Sequence, residues 1–306
     1  MPKTSVPSQT LPSKVCADPL LTLTDKAATA LSTPVRQKEH HLGERLIELK
    51  EVKKSYGNVF AVGGVNMHVD RGEVVGLLGD NGAGKSTLIK ILSGVVRPTS
   101  GEILVRGTPV HGWSAGKSRG AGIETVFQDR ALAVQQTIVR NIFMGREITT
   151  AFGMLDVAKQ RSEAERLMRE IGFTSKVFSP DSIVGQLSGG ERQGVAIARA
   201  IYNKADLIIL DEPTTALSLT ETEKVFRFVR NVRESGRSIL FIGHNIHHVF
   251  DIAERFVVLD RGRVALEITK AEVGSAERLI GFMEHVAHPT GANPLSEPAA
   301  QNGAAR

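Results

Sequence analysis

A chain of 306 residues with a net charge of +5 is long enough for a sizeable core, and no basic cluster in it supports binding to nucleic acid. No run of about 18 apolar residues occurs, which excludes a membrane-spanning helix, and the N-terminus lacks the basic-then-apolar order of a secretory signal. The single cysteine, Cys16, rules out an internal disulfide framework and suits a reducing compartment.

Residues 1–44 are rich in Ser, Thr, Pro and Ala, and predict a flexible leader. Asp18, Asp25 and Glu39 speak against a transit peptide. From Arg45 the pattern changes. Residues 46–52 and the alternating 65–69 predict two strands, with Tyr56 between them. The turn Asp70-Arg71-Gly72 leads into 73–78, an apolar run of the length of a buried strand. A glycine-rich stretch, 79–87, follows, and the apolar spacing of 88–92 predicts a helix ending near Gly94.

Residues 98–101 predict a turn, 102–105 a short strand ending at Gly107, and 122–127 a strand left by Gln128 and Asp129. Helical spacing then appears at 141–147 and 157–171. Arg161, Glu163, Glu165 and Arg169 mark the solvated face of the second of these. This section, about 129–202, reads as a helical lobe inserted into an α/β core. It contains Leu187-Ser188-Gly189-Gly190-Glu191 and a helix over 193–202. The apolar strand 205–210 ends in Asp211, Glu212 and Pro213. A helix near 220–234, a strand at 238–242, His244, closing strands at 256–259 and 264–268, and a last helix over 272–286 complete the body. Residues 285–306, rich in Ala, Pro, Asn and Gly, predict a flexible tail.

The chemistry centres on 79–87, Gly-Asp-Asn-Gly-Ala-Gly-Lys-Ser-Thr. Gly79, Gly84, Lys85 and Ser86 fill the fixed places of the phosphate-loop pattern, with Asp80, Asn81, Gly82, Ala83 and Thr87 around them. Strand, glycine loop and helix start together aim backbone N–H groups at a polyphosphate. Lys85 is expected to reach the β- and γ-phosphates, and the Ser86 hydroxyl to ligate Mg²⁺. Such a loop alone leaves kinases, GTPases and many ATPases open. The acid pair narrows the choice. Asp211 ends an apolar strand, as does the Asp that holds Mg²⁺ through water in a second nucleotide motif, and Glu212 beside it is placed to polarise an attacking water. His247 and His248 stand near His244, but no acid or cysteine completes a zinc set.

Taken together, these motifs resemble the ATP-binding-cassette ATPases over residues 45–284. The resemblance rests on 79–87, Gln128, Leu187-Ser188-Gly189-Gly190-Glu191, 207–212 and His244, in that order. It implies a phosphate-loop NTPase core with an antiparallel β lobe and an inserted helical lobe, binding ATP and Mg²⁺. It implies that Tyr56 stacks on adenine, and that Gln128 touches Mg²⁺ and the attacking water. Ser188, Gly189 and Gly190 close on the γ-phosphate held by a second copy of the chain. Glu212 is the base, and His244 holds the γ-phosphate or orients Glu212. Ser86, Gln128 and Asp211 form the metal set.

Two positions depart from the family pattern. Glu191 stands where many relatives have Gln, and Ser218 where most have Asp, which puts the coupling between the two nucleotide sites in question. The stretches 126–132 and 141–147 look like those of ribose-, xylose- and fructose-type monosaccharide importers, and 241–252 is similar to the fructose-type branch. The implied partners are a second copy, integral membrane permease subunits and, indirectly, a solute-binding protein, at the cytoplasmic face of the inner membrane. No nucleic-acid partner is expected. Export, another substrate, a soluble regulatory ATPase and a non-hydrolysing module are the competing readings.

Overall fold

The computed structural model describes residues 44–128, 131–172, 179–215 and 217–287. The expected leader, but for Glu44, and the expected tail, but for 285–287, lie outside them, as do Asp129 and Ala216. In chain order the first elements are β1 (Arg45–Tyr56), β2 (Val59–Asp70), β3 (Val74–Leu78), α1 (Lys85–Leu92), β4 (Ser100–Val105), β5 (Thr108–Pro109), α2 (Ala115–Gly120) and β6 (Ile123–Val126). Next come α3 (Ile138–Phe143), α4 (Val157–Glu170), a 3-10 turn at Val184–Gln186 and α5 (Gly189–Tyr202). The chain continues with β7 (Leu207–Asp211), α6 (Leu219–Glu234), β8 (Ser238–Ile242), α7 (Ile246–Ile252), β9 (Arg255–Asp260) and β10 (Arg263–Thr269). It closes with α8 (Lys270–Val273) and α9 (Ala276–Ala287).

The strands form two sheets. One is antiparallel, in the order β2-β1-β4-β5. The other runs β10-β9-β3-β8-β7-β6, parallel from β9 to β6, with β10 antiparallel at its edge. β3 and β8 are buried at every position, as predominantly apolar strands of a parallel sheet covered on both faces are. Alternate residues serve two cores. Val74, Leu78, Leu210, Phe241 and Phe256 pack with α5, α6 and α9 on one face. Val75, Leu77, Ile209, Leu240 and Val257 pack with α1, β1 and β2 on the other.

This topology assembles the site. Because β3, β8, β7 and β6 are neighbours and parallel, their C-terminal ends share one edge of the sheet. The loops leaving that edge carry, in order across it, the glycine stretch, His244, the acid pair and Gln128. Ligands of open α/β sheets bind at such an edge.

Several elements differ from the sequence expectation. β1 runs on to Tyr56, past register shifts around Val52, so Tyr56 ends a strand instead of lying in a long connection. The helix expected at 141–147 is α3, which starts at a Thr137 cap and is left at Met144, whose ψ of 117° is not helical. The last helix is divided into α8 and α9 at Gly274, which takes a φ of +77°. α2 and α7 are six and seven residues long, too short to show a helical period.

Candidate functional site

The glycine stretch fills the connection from β3 to α1. Gly84 precedes the first helical residue at φ +102°, and a Cβ there would lie 2.5 Å from the Ala61 carbonyl oxygen of β2. At Gly79 a Cβ would lie 2.3 Å from the Leu259 carbonyl oxygen of β9. Only glycine fits either place, and the loop is thereby clamped between the two sheets. Its far side is open: Gly82 has nothing within 4 Å of where a Cβ would stand. The start of α1 has no side-chain cap and no acid in its first turn. Its first N–H groups therefore face outward without an intrahelical acceptor, which is the state an anion site requires.

Lys85 is buried, and its Nζ donates to the carbonyls of Gly79 at 2.5 Å and Asp80 at 3.0 Å. Burial lowers its pKa, against the raising pull of Glu212, Asp80 and Asp211. Three carboxylates thus act electrostatically on one lysine at the edge of the sheet. Asp211, the last residue of β7, has a pKa raised first by burial and then by Glu212, with Lys85 and His244 opposing.

Glu212 adopts φ +49°, a left-handed conformation uncommon outside glycine. Its N–H still pairs with the Ile242 carbonyl, so the backbone turns away from the sheet only after that bond is made. Both carboxylate oxygens are engaged. Oε1 lies 2.5 Å from His244 Nε2, while Oε2 accepts from Gln128 Nε2 at 3.1 Å and from Thr215 Oγ1 at 3.3 Å. Gln128, Glu212 and His244, from three different strand ends, therefore form one constellation beside Lys85. Thr215 joins it without having been singled out in the sequence, where a Thr three residues after an acid carries no signal.

The remaining expected residues stand apart from that cluster. The Tyr56 ring is half exposed at the β1–β2 hairpin, with Lys54 Nζ 5.2 Å from its centroid. Ser188 caps α5, with Gly189 and Gly190 as its first residues. Beyond the helix's own Arg192 N–H to Ser188 carbonyl bond, their partners among the described residues are Glu191 and Glu221, and none of these bonds joins them to 79–87. The signal for Glu221 was legible as Ser-x-x-Glu from Ser218, the pattern of a capping box.

The site suits a magnesium–nucleotide. Ser86 is exposed at the helix start, Gln128 is exposed, and Asp211 presents a partly buried carboxylate, an all-oxygen donor set of the kind Mg²⁺ takes. A cation there would relieve the crowding of Asp211 and Glu212.

The profile of the family described as ABC transporter matches residues 62–215. The chain belongs to the ABC transporter family. The xylose/arabinose import ATP-binding protein XylG of Sulfolobus acidocaldarius is 44% identical over 232 residues, covering 76% of this chain and 91% of that protein. The ribose import ATP-binding protein RbsA 1 of Rubrobacter xylanophilus is 41% identical, over 76% of this chain but only 46% of its own length. The dimeric post-hydrolysis structure of the ATP-binding cassette MJ0796, bound to ADP and Pi, is 27% identical with a TM-score of 0.65, covering 73% of this chain and 98% of that one. The two sheets with the α-helical section between β6 and β7 are the ABC ATPase fold, and the activity of this class is ATP hydrolysis coupled to transport. Among the described residues no helix of this ABC ATPase is long and apolar enough to cross a membrane.

Proposed function

We propose that the chain is the ATP-hydrolysing subunit of a monosaccharide importer, working at the cytoplasmic face of the inner membrane with permease subunits and, through them, a solute-binding protein. The observation that carries hydrolysis is the Glu212 carboxylate, held by Gln128 and His244 beside Lys85 and the open start of α1. The sugar class rests on the names of the relatives, xylose/arabinose and ribose import proteins.

In this reading the N–H groups of 79–87 and Lys85 hold the phosphates, and Tyr56 stacks on the adenine. Ser86, Asp211 and Gln128 would hold Mg²⁺, which would supply charge neutralisation for the phosphoryl oxygens. Glu212 takes a proton from the attacking water, Gln128 and His244 fix its orientation, and Lys85 leaves its loop carbonyls for the β- and γ-phosphates. Ser188, Gly189 and Gly190 serve the nucleotide of a second copy, so that ATP lies between two chains.

A cleft between α2, β6 and α5 supports the permease contact. Val95, Arg119, Phe127, Met144, Arg146 and Arg199 line it, and Val95 and Met144 are exposed apolar side chains. Phe127 precedes Gln128, so an occupant of the cleft would press on the segment that reaches Glu212. The test is reconstitution with the permease and solute-binding protein of the same organism. Sugar-stimulated phosphate release, and crosslinks from a permease cytoplasmic helix to a Met144→Cys variant, are expected. Sugar-independent turnover with crosslinks confined to β1 and β2 would set this reading aside.

A further inference from the structure

Two of the donors assigned above to a second copy's nucleotide are already paired within this chain. Ser188 Oγ donates to Glu221 Oε1 at 3.2 Å, and the Gly190 N–H donates to the same oxygen at 3.2 Å. The other oxygen, Oε2, accepts from the Ser218 N–H and hydroxyl, both at 3.0 Å. Glu221 thus spans the start of α5 and the start of α6.

Helix capping does not require that span. α5 has its own capping box, in which Glu191 accepts from the Ser188 N–H at 2.7 Å and the Glu191 N–H donates to Ser188 Oγ. α6 has another, formed by Ser218 and Glu221. The bonds from Glu221 to Ser188 and Gly190 are additional to both. They also depend on the residue at 190: a Cβ there would lie 2.2 Å from Glu221 Oε1. Any side chain at 190 would expel the carboxylate.

A hydroxyl and a backbone N–H at a helix start, converging on one oxygen, describe a place for an anion. A carboxylate oxygen and a phosphoryl oxygen are alike in charge and in hydrogen-bonding demand. They repel each other and compete for the same donors. We propose that Glu221 is a positioning residue whose carboxylate stands in for the γ-phosphate of the second copy's nucleotide. It holds Ser188 Oγ and the Gly190 N–H aimed at one point until that phosphate arrives, then withdraws to Ser218.

Ser218 makes the withdrawal possible. Its N–H and hydroxyl retain the carboxylate on the α6 side, whereas an Asp at 218 would face it with like charge. ADP brings no γ-phosphate to displace Glu221, so the exchange distinguishes ATP from ADP at the interface. The proposal rests on the two-chain arrangement proposed above.

The experiment compares Glu212→Gln with Glu212→Gln/Glu221→Gln by light scattering during Mg-ATP titration, with thermal melts as a check on folding. Removing the competing charge is expected to lower the ATP concentration at half-dimerisation about two- to fivefold, the usual reach of one charge at a helix end. ADP binding, which uses 79–87 and not Glu221, is expected to stay unchanged. Glu221→Asp in the same background keeps the charge but falls a methylene short of Gly190. It is expected to move the midpoint the same way, and it carries the test should the glutamine variant not fold. A midpoint unchanged or raised in the folded variants overturns the stand-in role and leaves Glu221 as a helix cap. If Glu212→Gln alone binds ATP yet stays monomeric, the two-chain reading fails, and the role of Glu221 falls with it.

Discussion

The amide of Gln128 and the carboxylate of Glu212, 84 residues apart in sequence, meet at 3.1 Å. The two come from the ends of β6 and β7, which are paired in parallel from Ile123 with Leu207 to Val126 with Leu210. Sheet register therefore sets the distance between them. The other carboxylate oxygen is turned toward His244 at the end of β8. One acid is thus held from both flanks by strand ends, and what happens at Phe127 in the neighbouring cleft can reach it through a single residue.

Gln128→Ala is expected to slow phosphate release at saturating Mg-ATP by roughly 10- to 100-fold, since a misplaced reacting group costs that much. Nucleotide affinity should change far less, because the loop and Lys85 are untouched. Binding and turnover measured on the same preparation separate the two. Equal losses in both would place Gln128 in binding and not in orientation.

Lys85→Ala is expected to abolish hydrolysis and weaken ATP binding, through loss of a charge-assisted contact to the phosphates. The structure adds a second effect. Lys85 Nζ braces the Gly79 and Asp80 carbonyls, so the nucleotide-free variant should also unfold at a lower temperature, by the loss of hydrogen bonds worth about 1 kcal/mol or more. Calorimetry without nucleotide reads this directly. An unchanged melting temperature would mean that the lysine does not brace the empty loop.

Tyr56→Ala is expected to raise KM for ATP about two- to tenfold and leave kcat nearly constant. Ring stacking favours ground and transition states alike, and an aromatic pair is worth roughly 0.5–1.5 kcal/mol. The exposed ring already carries a cation, Lys54, near its face. A selective fall in kcat would contradict adenine stacking.

Much of this was legible in the sequence, for reasons that can be named. The strand before Gly79 and the strand before Asp211 announce themselves because a parallel strand buried on both faces carries no polar alternation, Val-Val-Gly-Leu-Leu in one and Leu-Ile-Ile-Leu in the other. The loop 79–87 does so because Gly79 and Gly84 are forced by the Leu259 and Ala61 carbonyls. The grouping of Gln128, Glu212 and His244 could be named only through a family resemblance, since strand order is a long-range property that local pattern does not encode. The left-handed backbone of Glu212 was not legible, because a glutamate gives no local reason to adopt it. The tie from Glu221 to Gly190 was hidden for a similar reason. Its two ends are 31 residues apart, and the visible pattern, Ser-x-x-Glu, already had a sufficient local purpose.

That tie predicts a pH dependence of stability. The Ser218 N–H first, then the Ser218 and Ser188 hydroxyls and the Gly190 N–H, hold the Glu221 carboxyl below the usual carboxylate range. In the unfolded chain a glutamate titrates near its ordinary value of about 4.3. A depressed folded pKa means that, as pH falls, the unfolded chain takes up the proton first. The stabilisation is therefore fully present above the unfolded value and is lost as pH falls through the folded one. Glu221→Gln has no charge to lose. Its melting temperature without nucleotide should lie below that of the parent at neutral pH, and the gap should close in acid below the ordinary carboxylate range. Thermal unfolding from pH 7 to about pH 3 measures this. A gap that persists undiminished in acid would mean that the shape of the side chain, and not its charge, joins α5 to α6. The same substitution is thus expected to weaken the single chain while easing closure on a second one, opposite signs that a simple helix cap would not produce.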